Sequence, residues 1–150
     1  PWGRPDMALF KFTQAILNEQ PIDVYNFGDM QRDFTYVDDL VRAVMLLTKA
    51  VPSPADDKKF SADSLSPVAP YRVVNIGNSA PVKLMDFIEA IEVATGKRSK
   101  QNLMPMQAGD VPATWADATL LRHLTGYAPE TSVKEGVKNF VDWYREFYRV

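Results

Sequence analysis

Arg32, Asp33, Phe34, Thr35, Tyr36, Val37, Asp38 and Asp39 follow one another in the stretch where this chain most plainly offers a ligand-binding group. In an extended strand Arg32, Phe34 and Tyr36 share one face and Asp33 and Thr35 the other, so a cation and two rings point the same way. From Val37 the period changes. Val37, Leu40, Val41, Val44, Met45 and Thr48 recur at helical spacing and predict a helix ending near Val51, with Asp38 and Asp39 placed to complement its positive end. Just before this stretch, Tyr25 to Gln31 supplies a turn containing Gly28. An arginine fixed at such a corner can hold a phosphate through two parallel hydrogen bonds, which a lysine cannot match. The alternative is a solvated surface pair with Asp29 or Asp33, which binds nothing.

The elements that must position these groups alternate between helix and strand. Residues 7–18 carry Leu9, Phe12 and Ile16 at helical spacing, with Pro5 and Asp6 suited to a first turn. Ile22 to Tyr25 reads as a short strand behind Pro21. Residues 52–70 hold four prolines and four serines with few large apolar anchors, and read as a long loop with the composition of a disordered segment. Val73 to Gly77 is a nearly continuous apolar run, as expected of a parallel strand buried on both faces. Leu84, Phe87, Ile88, Ile91 and Ala94 define an amphipathic helix for Gly96 to cap. Asn102 to Met106 is expected as an edge strand because Pro105 argues against a central place. Gln107 to Pro112 is an extended turn. Asp117 caps a short helix carrying Leu120, Leu121 and Leu124 and stopped by Gly126. Ser132 and Glu135 form a capping-box pattern for a last helix with the stripe Val133, Val137, Phe140, Val141, Tyr144 and Tyr148. The expected class is α/β, a small mixed sheet with packed helices.

Composition narrows the chemistry further. A chain of 150 residues fits one domain and can bury about 70% of its unfolded surface. It has no cysteine and one histidine, His123, so disulfides, thiolate zinc sites, cysteine nucleophiles and multi-histidine metal sites are excluded. His123 itself is expected at the surface. Seventeen basic and nineteen acidic residues are mixed along the chain, giving a net charge of −2 and no nucleic-acid footprint. No apolar run approaches the roughly 20 residues that span a bilayer, and the expected setting is cytoplasmic. The opening Pro1-Trp2-Gly3-Arg4-Pro5-Asp6 reads as the middle of a loop, so the chain is expected to be a fragment.

Four separated stretches together resemble the C-terminal part of the extended short-chain dehydrogenase/reductases that act on nucleotide sugars. They are Pro1 to Met7, Gly28 to Asp39, Tyr71 to Gly77 and Gln107 to Asp117, and the Pro-Trp-Gly-Arg-Pro-Asp-Met opening is most similar to UDP-glucuronate 4-epimerases. The resemblance implies a C-terminal substrate-binding portion, residues 1–150, of a Rossmann-type enzyme. Such an enzyme's N-terminal half binds NAD through a glycine-rich loop and carries a catalytic Tyr-x-x-x-Lys pair. Neither motif occurs in this sequence, so no catalytic, cofactor-binding or metal residue is expected in it, and the fragment is expected to be inactive alone.

Within that resemblance, NAD takes hydride from C4 of the sugar, the 4-keto sugar turns over, and hydride returns to its other face. The nucleotide end must be held meanwhile. Arg32 would clamp the UDP pyrophosphate, Tyr25 with Met7 would pack against uracil, and Asp110 would accept a hydrogen bond from the ribose. Gln107 stands where many members carry a second phosphate-binding arginine. Arg4 would grip the glucuronate carboxylate and keep it out of line with the 4-keto π system, favouring epimerisation over decarboxylation; otherwise it merely orders the Pro-rich loop. The expected partner is a UDP-sugar, and the parent is expected to be a homodimer through helices of the Rossmann half. UDP-glucuronate decarboxylation, NDP-hexose 4,6-dehydration and a non-catalytic UDP-sugar binding module remain open.

Overall fold

The computed structural model describes residues 4–53 and 61–150. In chain order its elements are α1 (Ala8–Leu17), β1 (Pro21–Val24), a 3-10 turn (Tyr25–Gly28), β2 (Gln31–Arg32), α2 (Val37–Leu47), β3 (Val82–Lys83), α3 (Leu84–Thr95), β4 (Lys100–Leu103), β5 (Ala113–Thr114), α4 (Thr119–Thr125) and α5 (Val133–Tyr148). The class is α/β, as expected. The chain divides into two compact units, each assembled from separated segments.

The first unit comprises residues 1–32, 81–114 and 132–150. Here α3 packs on both α1 and α5, because Phe87, Ile88 and Ile91 put a fully buried stripe on one side of it. Gly96 ends α3 at φ 67°, the left-handed conformation that glycine adopts without a Cβ penalty. The Ser132 hydroxyl accepts the Glu135 N–H at 3.2 Å and opens α5, which buries Val137, Val141 and Tyr144. Phe10 of α1 meets Phe140 of α5 edge to face, 4.7 Å between ring centres. Strand β1 pairs parallel with β4, from Pro21↔Lys100 to Val24↔Leu103. Strand β2 lies between antiparallel β3 and parallel β5.

The second unit comprises residues 33–80 and 115–131. Ala43, Ala118, Leu121 and Tyr127 are buried together, with Leu46, Leu47, Val74 and Ile76 packed against them. The small Ala43 lets α2 approach α4 closely. As a result α2 presents Asp39, Ala43, Leu46 and Leu47 inward and leaves the expected stripe exposed, with Val41 at 50% and Met45 at 64%. Two adjacent apolar stripes have the same period, and periodicity alone does not choose between them.

Two strand expectations are corrected. The strand expected to run from Arg32 to Tyr36 stops at Arg32, because the next side chain, Asp33, draws in loop N–H groups in place of a ladder. The expected doubly buried strand over 73–77 makes no ladder among the described residues; Val74 and Ile76 pack inward while Val73 is 57% exposed. Its alternation is that of an extended segment covered on one side. Within the long loop, Leu65 is buried and the Arg72 guanidinium grips both Asp63 oxygens at 3.0 Å; residues 54–60 of that loop lie outside the described residues. The edge strand expected over 102–106 forms earlier, at Lys100–Leu103. His123 is exposed.

Candidate functional site

The six expected site residues, Arg4, Met7, Tyr25, Arg32, Gln107 and Asp110, all belong to the first unit. Their framework is the turn between β1 and β2. Asn26, Phe27 and Gly28 all have positive φ there, and the Asn26 side chain closes the turn by donating to the Asp29 carbonyl at 2.6 Å. Gly28 sits at φ 89°, where a side chain is strained, and a Cβ there would also press on Met85 Sδ at 2.7 Å.

The loop after β4 is tied to this turn at both ends. Phe27 N–H donates to Met104 O at 3.0 Å, and Gln31 N–H donates to Pro112 O at 2.8 Å. These bonds hold the loop that carries Gln107 and Asp110 against the turn that runs from Tyr25 to Arg32. The Arg32 guanidinium, half-buried, donates from Nη1 to the carbonyls of Gln31 (2.8 Å) and Pro112 (3.3 Å) and from Nη2 to Asp110 Oδ1 (2.8 Å). Its partner is therefore Asp110, and neither Asp29 nor Asp33, the neighbours that the sequence alone offers. Gly109 precedes Asp110 at φ 85° and lets the loop reverse, with Asp110 N–H on Gln107 O at 3.1 Å. Gln107 is exposed on that turn.

Arg4 and Met7 form a separate group at the start of α1, joined by Met7 N–H on Arg4 O at 3.1 Å. The exposed Arg4 guanidinium takes Asp6 in a two-toothed pair, Nη2–Oδ2 2.6 Å and Nε–Oδ1 3.3 Å. That hydrogen bond holds the Asp6 carboxyl below its ordinary range and raises the Arg4 guanidinium. No hydrogen bond or ion pair among the described residues links Arg4 or Met7 to Arg32.

In the second unit, three of the quoted stretches meet at Asp33, a residue that the sequence offered only as a surface partner for Arg32. Its Oδ2 accepts N–H groups from Ser79 (3.0 Å) and Ala116 (3.2 Å), while Ser79 Oγ donates to Ala116 O at 2.8 Å. Gly77 makes this approach possible, because a Cβ there would sit 2.5 Å from the Ala116 Cβ. The same segments line a polar cavity of about 310 Å³ that includes Asn78, Asp117 and Arg122. Among the described residues no cluster of three or more His, Cys, Asp or Glu side chains could hold a metal, and no helix is long and apolar enough to cross a membrane.

These elements are those of the C-terminal portion of extended short-chain dehydrogenase/reductases. The chain belongs to the GDP-mannose 4,6 dehydratase family, whose model matches residues 7–140. A probable UDP-glucuronate 4-epimerase of Rhizobium meliloti (strain 1021) is 53% identical over 99% of this chain and 44% of its own length. Protein CapI of Staphylococcus aureus is 55% identical over 99% of this chain and 45% of its own. Among solved structures, a UDP-glucuronic acid 4-epimerase from Bacillus cereus in complex with UDP-glucuronic acid and NAD superposes with a TM-score of 0.79 at 28% identity, covering 99% of this chain and 42% of that one. The chain thus spans a little under half the length of these relatives.

Proposed function

We propose that this chain is the substrate-binding part of an NAD-dependent nucleotide-sugar 4-epimerase that interconverts UDP-glucuronate and UDP-galacturonate. The observation that carries this reading is Arg32, a half-buried guanidinium whose orientation is fixed by two carbonyls and a carboxylate before any ligand arrives. A clamp set in advance avoids the entropy of ordering a long side chain on binding. A pyrophosphate is the anion whose paired oxygens match the remaining donors.

In this reading Arg32 holds the pyrophosphate, Tyr25 and Met7 flank the uracil, and Asp110 accepts a ribose hydroxyl. Gln107 supplies an uncharged donor beside them. Arg4 holds the sugar carboxylate, which requires it to exchange Asp6 for the substrate. NAD, bound by a preceding Rossmann half through which the parent also dimerises, supplies the hydride exchange at C4. The resemblance of the chain to proteins named as UDP-glucuronate 4-epimerases supports the choice of sugar.

The test is to incubate the full gene product with UDP-glucuronate and follow the products by NMR. UDP-galacturonate at a fixed equilibrium ratio is expected. Release of carbon dioxide with a pentose product would overturn the reading in favour of decarboxylation, and UDP binding without turnover would make the chain a binding module.

A further inference from the structure

The contact between Asp110 and Arg32 does not follow from a ribose role, and it is not needed for stability. Both side chains remain about one-third exposed, at 31% and 37%, and ion pairs so placed stabilise a fold little. A carboxylate beside a phosphate clamp also opposes the anion it serves. Its geometry supplies a reason for its presence.

A guanidinium has five N–H donors. On Arg32, Nη1 faces Gln31 O and Pro112 O, and Nη2 faces Asp110 Oδ1. Among the described residues Nε–H meets no acceptor, and Nη2 retains a second N–H. Asp110 is divided in the same way. Its Oδ1 takes both Arg32 and the Val111 N–H at 3.1 Å, while Oδ2 meets no donor among the described residues.

We propose that Asp110 is a positioning residue for Arg32, with Oδ1 turning the guanidinium so that Nε–H and the second Nη2–H face the pyrophosphate, while Oδ2 is left for the ribose. One carboxylate then couples recognition of the nucleoside to recognition of the phosphates. The inference rests on the site assignment made above.

The experiment compares UDP with uridine, which lacks the phosphates, by calorimetry on the full gene product. Asp110→Ala is expected to weaken uridine about threefold, for the lost hydroxyl contact, and UDP about thirtyfold, because a charge-assisted clamp is lost as well. In an Arg32→Lys background the same change is expected to weaken UDP no more than it weakens uridine, since there is no guanidinium left to orient. An equal factor for both ligands in the parent protein would overturn the inference, as would tighter UDP binding, which would make Asp110 a repulsive neighbour. If Arg32→Lys alone leaves UDP binding unchanged, the site assignment fails and takes the inference with it. Side-chain NMR of the unsubstituted protein gives an independent check. Slow rotation about the Arg32 Cζ–Nη2 bond without ligand is expected, and fast rotation would contradict the proposal.

Discussion

Tyr127 donates its hydroxyl to Asp39 Oδ1 at 2.7 Å, across 88 positions of sequence. Asp39 Oδ2 accepts the N–H groups of Thr131 (2.9 Å) and Glu130 (3.2 Å), so a buried carboxylate at the start of α2 fixes the loop that follows α4. Burial pushes the Asp39 carboxyl up, but the hydroxyl and backbone donors outweigh it and leave the group below its ordinary value. Burial, and then the Asp39 bond, push Tyr127 up to about 12.

A spectrophotometric titration should show this directly. The difference between the parent and Tyr127→Phe is expected to give one phenol with a midpoint about two units above ordinary tyrosine, near the value of about 12. A raised pKa means that the contribution to stability is complete below pH 10 and declines as pH rises from there through 12. Within that window stability should fall by up to about 1.4 kcal/mol per pH unit more steeply than in Tyr127→Phe. A difference curve centred near pH 10 would contradict the network.

Asp38 and Asp39 separate two explanations for acidic residues at a helix start. If complementing the helix end were their common role, removing either would cost a similar few tenths of a kcal/mol to 1 kcal/mol. The structure places Asp38 in solvent and Asp39 at 9% exposure under three donors. Asp39→Ala is therefore expected to destabilise by about 2–3 kcal/mol, since it strands a buried hydroxyl and two N–H groups, and Asp38→Ala by less than about 1 kcal/mol. Urea unfolding of the two variants decides between them.

Asp39 also shows where sequence reading reached its limit. Features set by neighbours in the chain were legible: the left-handed glycines at 96 and 126 and the Ser132 cap all form where the pattern places them, because each depends on a single turn of backbone. Arg32 was legible as a candidate, but its partner Asp110 lies 78 positions away and its nearer acidic neighbours were the obvious alternatives. The inward face of α2 was not legible, because only the arrival of Ala118 and Leu121 decides which of two apolar stripes is covered. The run from Val73 to Ile76 was legible as an apolar extended segment, with Val74 and Ile76 turned inward, but composition does not record what covers Val73 on its other side.

Arg4 gives a prediction about sugar specificity. Its guanidinium is largely exposed and already paired with Asp6, so in the proposed role a substrate carboxylate has to compete with that neighbour. Arg4→Ala in the full gene product should weaken UDP-glucuronate about tenfold while changing UDP-glucose less than about twofold, because only the former offers a carboxylate. Asp6→Asn should do the reverse and tighten UDP-glucuronate alone. Equal effects of Arg4→Ala on the two sugars would show that the arginine only orders the loop before α1.

Gln107 lies on the exposed turn whose other end is Asp110, joined to it by the Asp110 N–H on Gln107 O at 3.1 Å. A side-chain amide there can donate one hydrogen bond to a phosphate oxygen but adds no charge. Gln107→Arg would add a cation close to the clamp, and a hydrogen bond to a charged group contributes about 1.5–3 kcal/mol when shielded. Residues 101–110 are all exposed, so solvent screening reduces that figure. The expected gain in UDP affinity is about three- to tenfold, largest at low ionic strength and shrinking as salt shortens the range of the interaction. Uridine should bind unchanged, because it presents no phosphate. A gain shared equally by uridine would mean that position 107 acts on the base or ribose, and no gain at low salt would place it away from the phosphates.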